Sequence, residues 1–257
     1  MRKLVGCLLL VVAVAVISQP ALADPPAKEK IRVLLTVGGH AFEEAPFYAM
    51  WDAMPGIQWT KIDLPQQGDL LKPGLEKQYD VIAMYDMCPG LKPEQQQAFA
   101  ELLKKGIGVV AMHHNLGGYQ KWDEYRKIIG GKFCVTDCEF DGVKHKQSTW
   151  DHDQEVKIDI VDKEHPITKG IEPFTIHDEV YGGYWVSPDA KILLTTDHPK
   201  NKPGQIAWVT KYGNSPVAYL MLGHDSQAWK NPSYPKLLRQ ARSEEHTSEL
   251  QSRFGTS

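Results

Sequence analysis

Cysteine is scarce in this chain, four in 257 residues, and the four are too few and too unevenly placed (7, 88, 134 and 138) to staple a fold together. A basic surplus is missing as well. Lys and Arg number 29 against 32 Asp and Glu, a net charge of −3, which argues against a nucleic-acid binder or a protein held on an anionic membrane. Past the N-terminus no apolar run approaches the roughly 20 residues of a membrane span. Internal repeats and long polar linkers are absent too. What is present is 42% hydrophobic and 24% charged residues, the composition of a folded globular protein.

Both ends read as something other than fold. Arg2 and Lys3 precede the apolar stretch Leu4 to Ile17, and Ala21-Leu22-Ala23 supplies small residues for cleavage before Asp24, the pattern of a secretory signal peptide over residues 1–23. Export to a secreted or periplasmic location is expected. Leu4-Val5-Gly6-Cys7 is no lipid-attachment box, because its hydrophobic run follows the cysteine, so no membrane anchor is expected. Residues 24–30 form a polar lead-in. At the other end, residues 242–252 read R-S-E-E-H-T-S-E-L-Q-S, the translation of a common sequencing adapter, so 242–257 is taken as a non-native tail that cuts a last helix at Ala241. One domain over residues 31–241 remains, with Cys88, Cys134 and Cys138. The last two are spaced either for a short bridge or for a metal.

Within that domain, 31–37, 57–62, 79–85 and 107–112 are β-rich apolar runs. They alternate with helical patterns over 44–54, 93–104 and 122–129, the signature of a parallel sheet covered by helices. The second half is β-rich, with strands expected over 154–161, 191–196, 205–210 and 217–222 and a closing helix over 235–241. The expected class is therefore α/β, a mostly parallel sheet flanked by helices and continued by an antiparallel extension.

In open α/β sheets ligands bind beyond the carboxyl ends of the strands. Four of the nine histidines outside the tail lie there: His40 after Gly38-Gly39, His113 and His114 after the fourth strand, and His224 before Asp225. The third strand ends in Asp86. Imidazole serves as a neutral metal ligand or a proton carrier near neutral pH, so this convergence points to chemistry. His113 and His114 would face opposite ways on a strand, and both could enter a site only after a sharp turn. Ile176-His177-Asp178-Glu179-Val180-Tyr181-Gly182-Gly183-Tyr184-Trp185 gathers acids and aromatics suited to carbohydrate, with Glu179 as the functional acid, although an edge strand whose rings cover core fits the same pattern. His165 reads as a turn residue and His145 and His198 as solvated. His152, between Asp151 and Asp153, reads equally as site or surface.

Taken together, GGH at 38–40, HHNLGGYQKWDEY at 113–125, HPIT at 165–168, DEVY at 178–181, LGHD at 222–225 and W-x-NP at 229–232 resemble the trehalose-utilisation (ThuA-like) family over nearly all of residues 31–241. The resemblance implies a flavodoxin-like sheet of the class I glutamine amidotransferase type. The amidotransferases carry a cysteine on the turn that here reads Met112-His113-His114-Asn115. Without a nucleophile there, glutamine chemistry is not expected. The resemblance implies instead a carbohydrate-catabolic enzyme acting on 3-keto-glycosides or disaccharides, by elimination, hydrolysis or isomerisation, beside a sugar dehydrogenase. His113, His114, Glu179 and His224 are the catalytic candidates, and Asp86, Asp178, Tyr181, Trp185 and Asp225 the substrate-binding ones. His40, His114 and His224 are the candidate ligands of a divalent metal such as zinc or manganese. A sugar is the expected partner, with a homo-oligomer open. The competing readings are a non-catalytic sugar-binding module and a metal-dependent hydrolase of another substrate.

Overall fold

The computed structural model describes residues 30–241; the expected signal segment and the tail lie outside the described residues. The first half runs β1 (Ile31–Gly38), α1 (Glu44–Asp52), β2 (Ile57–Asp63), β3 (Val81–Asp86), α2 (Pro93–Leu103), β4 (Gly108–Met112) and α3 (Asp123–Ile129). Each element falls within a few residues of its expected place, because the patterns are strong. Every residue of β3 and of β4 is buried, as a parallel strand covered on both faces must be. Helix α2 starts on Pro93, its Gln95 side chain accepts from the Lys92 amide at 2.9 Å, and it lays Phe99, Leu102 and Leu103 into the core. Each such side chain contributes about 1.5–3 kcal/mol of burial.

The second half adds β5 (Gly131–Lys132), β6 (Cys138–Phe140), β7 (Val143–His145), β8 (Thr149–Ile160), β9 (Phe174–Gly182), β10 (Trp185–Val186), β11 (Lys191–Thr195), β12 (Gln205–Tyr212), β13 (Ser215–Leu220) and α4 (Ser226–Lys230). Residues 233–241 are helical. Strands β5, β6, β7 and β10 and helix α4 are additions to the expected elements, and β9 is the edge strand that the run over 176–185 left open. The nine-stranded sheet has the order β2-β1-β3-β4-β13-β12-β11-β8-β9. From β2 to β13 the pairs are parallel and from β13 to β9 antiparallel. The parallel half thus has one of the two common doubly wound orders, whose strand order reverses between β1 and β3 and leaves a crevice at their carboxyl ends. The β8–β9 hairpin is the far end of the sheet in strand order, yet β9 carries Glu179 and Tyr181 back to the ends of β4 and β13.

Cys134 and Cys138 are joined in a disulfide, and Cys88 is free and buried. Among the described residues no helix is long and apolar enough to cross a membrane.

Candidate active site

Two glycines set the approach to the site. Gly39 has φ +76, and a Cβ there would sit 2.1 Å from the Met87 carbonyl oxygen; only glycine lets β1 turn so tightly past the end of β3. Gly223 has φ +107, and a Cβ there would meet the Tyr234 hydroxyl at 2.3 Å. His40 and His224 follow these two turns directly.

After β4 the chain turns sharply at His113, whose φ of +47 lies in the left-handed region and costs a non-glycine residue about 1–2 kcal/mol. The turn is held from the β13 side. The His113 Nδ1–H donates to the Met221 carbonyl at 2.7 Å, and the Tyr219 hydroxyl donates to the His113 carbonyl at 2.8 Å. With Nδ1 fixed, Nε2 faces three groups at once: His224 Nδ1 at 3.0 Å, the Tyr181 hydroxyl at 3.0 Å and Glu179 Oε1 at 3.4 Å. One nitrogen with a single lone pair or proton cannot satisfy three such partners.

Glu179 is the hub of this cluster. Its other oxygen, Oε2, lies 2.7 Å from His152 Nδ1 and 3.7 Å from His224 Nδ1. His152 reaches it through a β-bulge. Asp151 pairs with Val180 and Gln154 with Asp178, so His152 and Asp153 together oppose Glu179 alone. Asp153 takes the extra bend at φ +57, and bulges re-aim side chains in this way. Glu179 and Tyr181 share one face of β9 by the two-residue period. The resulting pocket of about 220 Å³ is lined by His40, His114, His152, Glu179 and Tyr181 on its polar side and by Met87, Phe133 and Trp150 on its apolar side.

The electrostatics follow from burial and neighbours. Burial alone would raise the Glu179 carboxyl, but His113, His224 and His152 outweigh it and hold Glu179 below its ordinary value. Burial pulls His113 down, and the Glu179 and Asp178 carboxylates more than restore it, to above the ordinary histidine value. Burial and the adjoining His113 push His224 down to about 4. Burial, with His113 and His40 beside it, holds His114 well below the usual range, and burial holds the Tyr181 phenol well above its own. At neutral pH the site therefore presents a carboxylate, neutral His114 and His224, and a protonated tyrosine.

His113, Glu179, His224 and Tyr181 are brought together as the sequence pattern suggested; other candidates are placed elsewhere. The expected ligand set His40, His114 and His224 does not assemble. The His114 Nε2–H is committed to the Tyr85 carbonyl at 3.0 Å, and exposed His40 stacks on the His114 ring at 4.5 Å. Among the described residues, the donor atoms that lie within 4.8 Å of one another belong to His113, Glu179 and His224. Asp86 is wholly buried, accepting from the Thr36 hydroxyl and the Cys88 amide, so it locks the β1–β3 crevice and is not among the pocket-lining residues. Asp225 caps α4, its Oδ1 accepting from the amides of Gln227 and Ala228, the role of a helix start. Trp185 packs on Phe140 and under the Arg126 guanidinium.

Asp178, on the opposite face of β9 from Glu179, accepts from the amides of Gly223, His224 and Glu179 at 2.7, 3.0 and 2.8 Å. Its carboxylate positions the His224 loop and has no oxygen left over for substrate. Asp178→Ala strands these buried amides at about 1–3 kcal/mol each, so the expected result is a loss of about 3 kcal/mol or more in chemical denaturation. A loss under 1 kcal/mol would remove this role. His152, which the sequence left open between site and surface, belongs to the pocket, and so does Trp150, which the sequence did not single out. The signal for His152 was its place between Asp151 and Asp153, and the bulge that aims it leaves no mark in the sequence.

The family model described as ThuA, trehalose utilisation, matches residues 32–243. A ThuA-like protein from Parabacteroides merdae superposes with a TM-score of 0.70 at 18% identity, covering 85% of this chain and 91% of that one. A second, from Bacteroides uniformis, gives 0.61 at 21% identity over 87% and 94%. A GMP synthase protein from Thermoplasma acidophilum gives 0.52 at 7% identity over 88% and 99%; at these identities the likeness is one of fold. No curated protein matches the chain. The domain, with its histidine-rich crevice, belongs to the ThuA trehalose-utilisation family.

Proposed function

We propose that this protein cleaves 3-keto-glycosides, as an exported enzyme of sugar catabolism on a glutamine-amidotransferase-like scaffold. The observation that carries the reading is the meeting of Glu179, which lines the pocket beside His152, with His113 and His224. The strained turn after β4 supports the scaffold, since an amidotransferase presents its nucleophile on such a turn. His113 stands there, and it cannot form the thioester that glutamine hydrolysis needs. Cys88 is no substitute: burial, with Asp86 beside it, pushes its thiol up to about 12.

A keto group at C3 acidifies the proton at C2. Glu179 Oε2 stands 2.7 Å from His152 Nδ1; with the proton on Nδ1, Nε2 keeps a lone pair, the same logic by which a carboxylate sets the tautomer of a catalytic imidazole. His152 Nε2 takes the C2 proton, and the electron pair moves into an enolate across C2 and C3. The C1–oxygen bond then breaks, with the departing oxygen taking the proton from His152. Water adds across C1 and C2 of the resulting enone, so glycoside and water become the 3-keto sugar and the free alcohol. His114 Nδ1 has no partner within the protein and is an acceptor for a sugar hydroxyl.

His113, Glu179 and His224 also suit a divalent cation. Two imidazoles and a carboxylate are a common set for zinc or manganese, and the His113 Nδ1–H bond to a carbonyl is the outer support such a ligand usually has. Bound there, the cation would polarise the keto oxygen.

The test is C2 hydrogen exchange of methyl 3-keto-glucoside in D₂O, followed by proton NMR. The wild-type protein is expected to wash out the C2 proton, and His152→Ala to slow exchange about 10²-fold or more. Absence of both exchange and cleavage with the wild type would overturn the reading.

A further inference from the structure

Among the described residues, the large hydrophobics that stand exposed are Leu70, Val143, Trp150 and Val161, and Trp150 is the sole aromatic of the four, at 58% exposure. Single exposed apolar side chains are ordinary, but the place of this one is not. Trp150 pairs with Tyr181 across β8 and β9, and directly paired residues project from the same face of a sheet. Tyr181 is the residue whose hydroxyl meets His113. The Trp150 ring lies 4.7 Å from the His152 ring, so the indole stands on the rim beside the imidazole that Glu179 holds. The pocket behind it, about 220 Å³, is below the roughly 300 Å³ at which sites for larger ligands begin. A ligand of two rings would put one inside and the other at the rim. Trp150 also borders an open depression of about 390 Å³, where Asp151 and Lys200 form an ion pair at 2.7 Å.

We infer that Trp150 is the stacking platform of an outer subsite, which holds the second ring of a two-ring glycoside while the first ring lies in the pocket beside Glu179. An indole face offers broad, rigid apolar area at little entropic cost, and the C–H face of a sugar ring is its natural complement. Asp151 and Lys200 stand next to the platform as partners for hydroxyls. The inference rests on the glycoside reading above and adds to it a preference for a ring-bearing leaving group. Trp150 is then a specificity-determining residue that touches the departing half of the substrate and takes no part in proton transfer.

The experiment compares 3-ketotrehalose with methyl 3-keto-glucoside in wild type, Trp150→Ala and Trp150→Phe, and adds calorimetric titration with trehalose itself. The expected result is that the ratio of kcat/KM for the disaccharide to that for the methyl glycoside falls about tenfold in Trp150→Ala. Trp150→Phe recovers most of the ratio, and trehalose binding weakens about tenfold in Trp150→Ala. An unchanged ratio, with both substrates weakened alike, would overturn the outer subsite. If the wild type turns over neither substrate, the cleavage reading fails and the titration decides the subsite by itself. Weaker trehalose binding in Trp150→Ala upholds it; equal binding, or no binding by the wild type, overturns it.

Discussion

Glu179→Gln is expected to reduce turnover of a 3-keto-glycoside by about 10³-fold or more while leaving the far-ultraviolet circular dichroism unchanged. The carboxylate does two things that an amide cannot do together. Oε2 pairs with His152 Nδ1 at 2.7 Å, and Oε1 faces His113 Nε2 at 3.4 Å. An amide keeps one acceptor oxygen: with its NH₂ turned to His152 it reverses that tautomer, and with its oxygen there it still loses the negative charge that balances a protonated imidazole. Replacing a carboxylate by an amide next to a catalytic histidine costs about 10⁴-fold in the serine proteases for this reason. Since the change also removes negative charge between His113, His224 and His152, the neighbours that hold Glu179 below its ordinary value lose their anion. Assaying the variant at saturating zinc and manganese separates lost proton transfer from lost cation. Activity within tenfold of wild type would remove Glu179 from the centre of the mechanism.

The second large effect concerns the cation. Inductively coupled plasma mass spectrometry of the purified protein is expected to find close to one divalent ion per chain. His224→Ala should bring this below about a tenth, and His40→Ala should leave it in place. The geometry behind this is the crowding at His113 Nε2, where His224 Nδ1, Glu179 Oε1 and the Tyr181 hydroxyl converge on one nitrogen. A cation between the first two and His113 turns competing lone pairs into ligands. His40 lies outside that group, stacked on His114. A bound ion at 100 times its dissociation constant adds about 2.7 kcal/mol. For a domain of this size, 1 kcal/mol moves the melting temperature by about 2–4 °C. Chelation is therefore expected to lower the melting temperature by about 5–10 °C in the wild type and scarcely at all in His224→Ala. A metal-free wild type with coincident melts would sink the cation and leave an acid–base site of Glu179 and His152.

Much of this architecture was legible beforehand. The apolar runs of β1, β3 and β4 could only be buried parallel strands, and strand ends are where such sheets bind ligands, so His113 and His224 could be named from their positions alone. Glu179 and Tyr181 could be named because acids and aromatics crowd together over 176–185. The carboxylates were harder. Asp86, Asp178 and Asp225 looked like ligands for a substrate, yet each is committed to the protein itself: Asp86 to a hydroxyl and an amide, the other two to backbone amides. A carboxylate reads the same in sequence whether it meets a sugar hydroxyl or a backbone N–H. Trp185 and Trp150 differ in the same way. Both are tryptophans near acids, but only Trp150 lines the pocket, while Trp185 packs under Arg126.

The sequence by itself determined the alternating strands and helices of the first half and the family, because these depend on periodicity and on motifs that are local in the chain. Tertiary structure decided the partners. Whether His114 or His113 shares a centre with His224 depends on a left-handed turn at one residue and on which carbonyl each imidazole reaches. Whether His152 is surface or site depends on two residues of β8 opposing one of β9. Such choices are set by contacts between residues far apart in the chain, where a displacement of one strand position exchanges a side chain facing the pocket for one facing water.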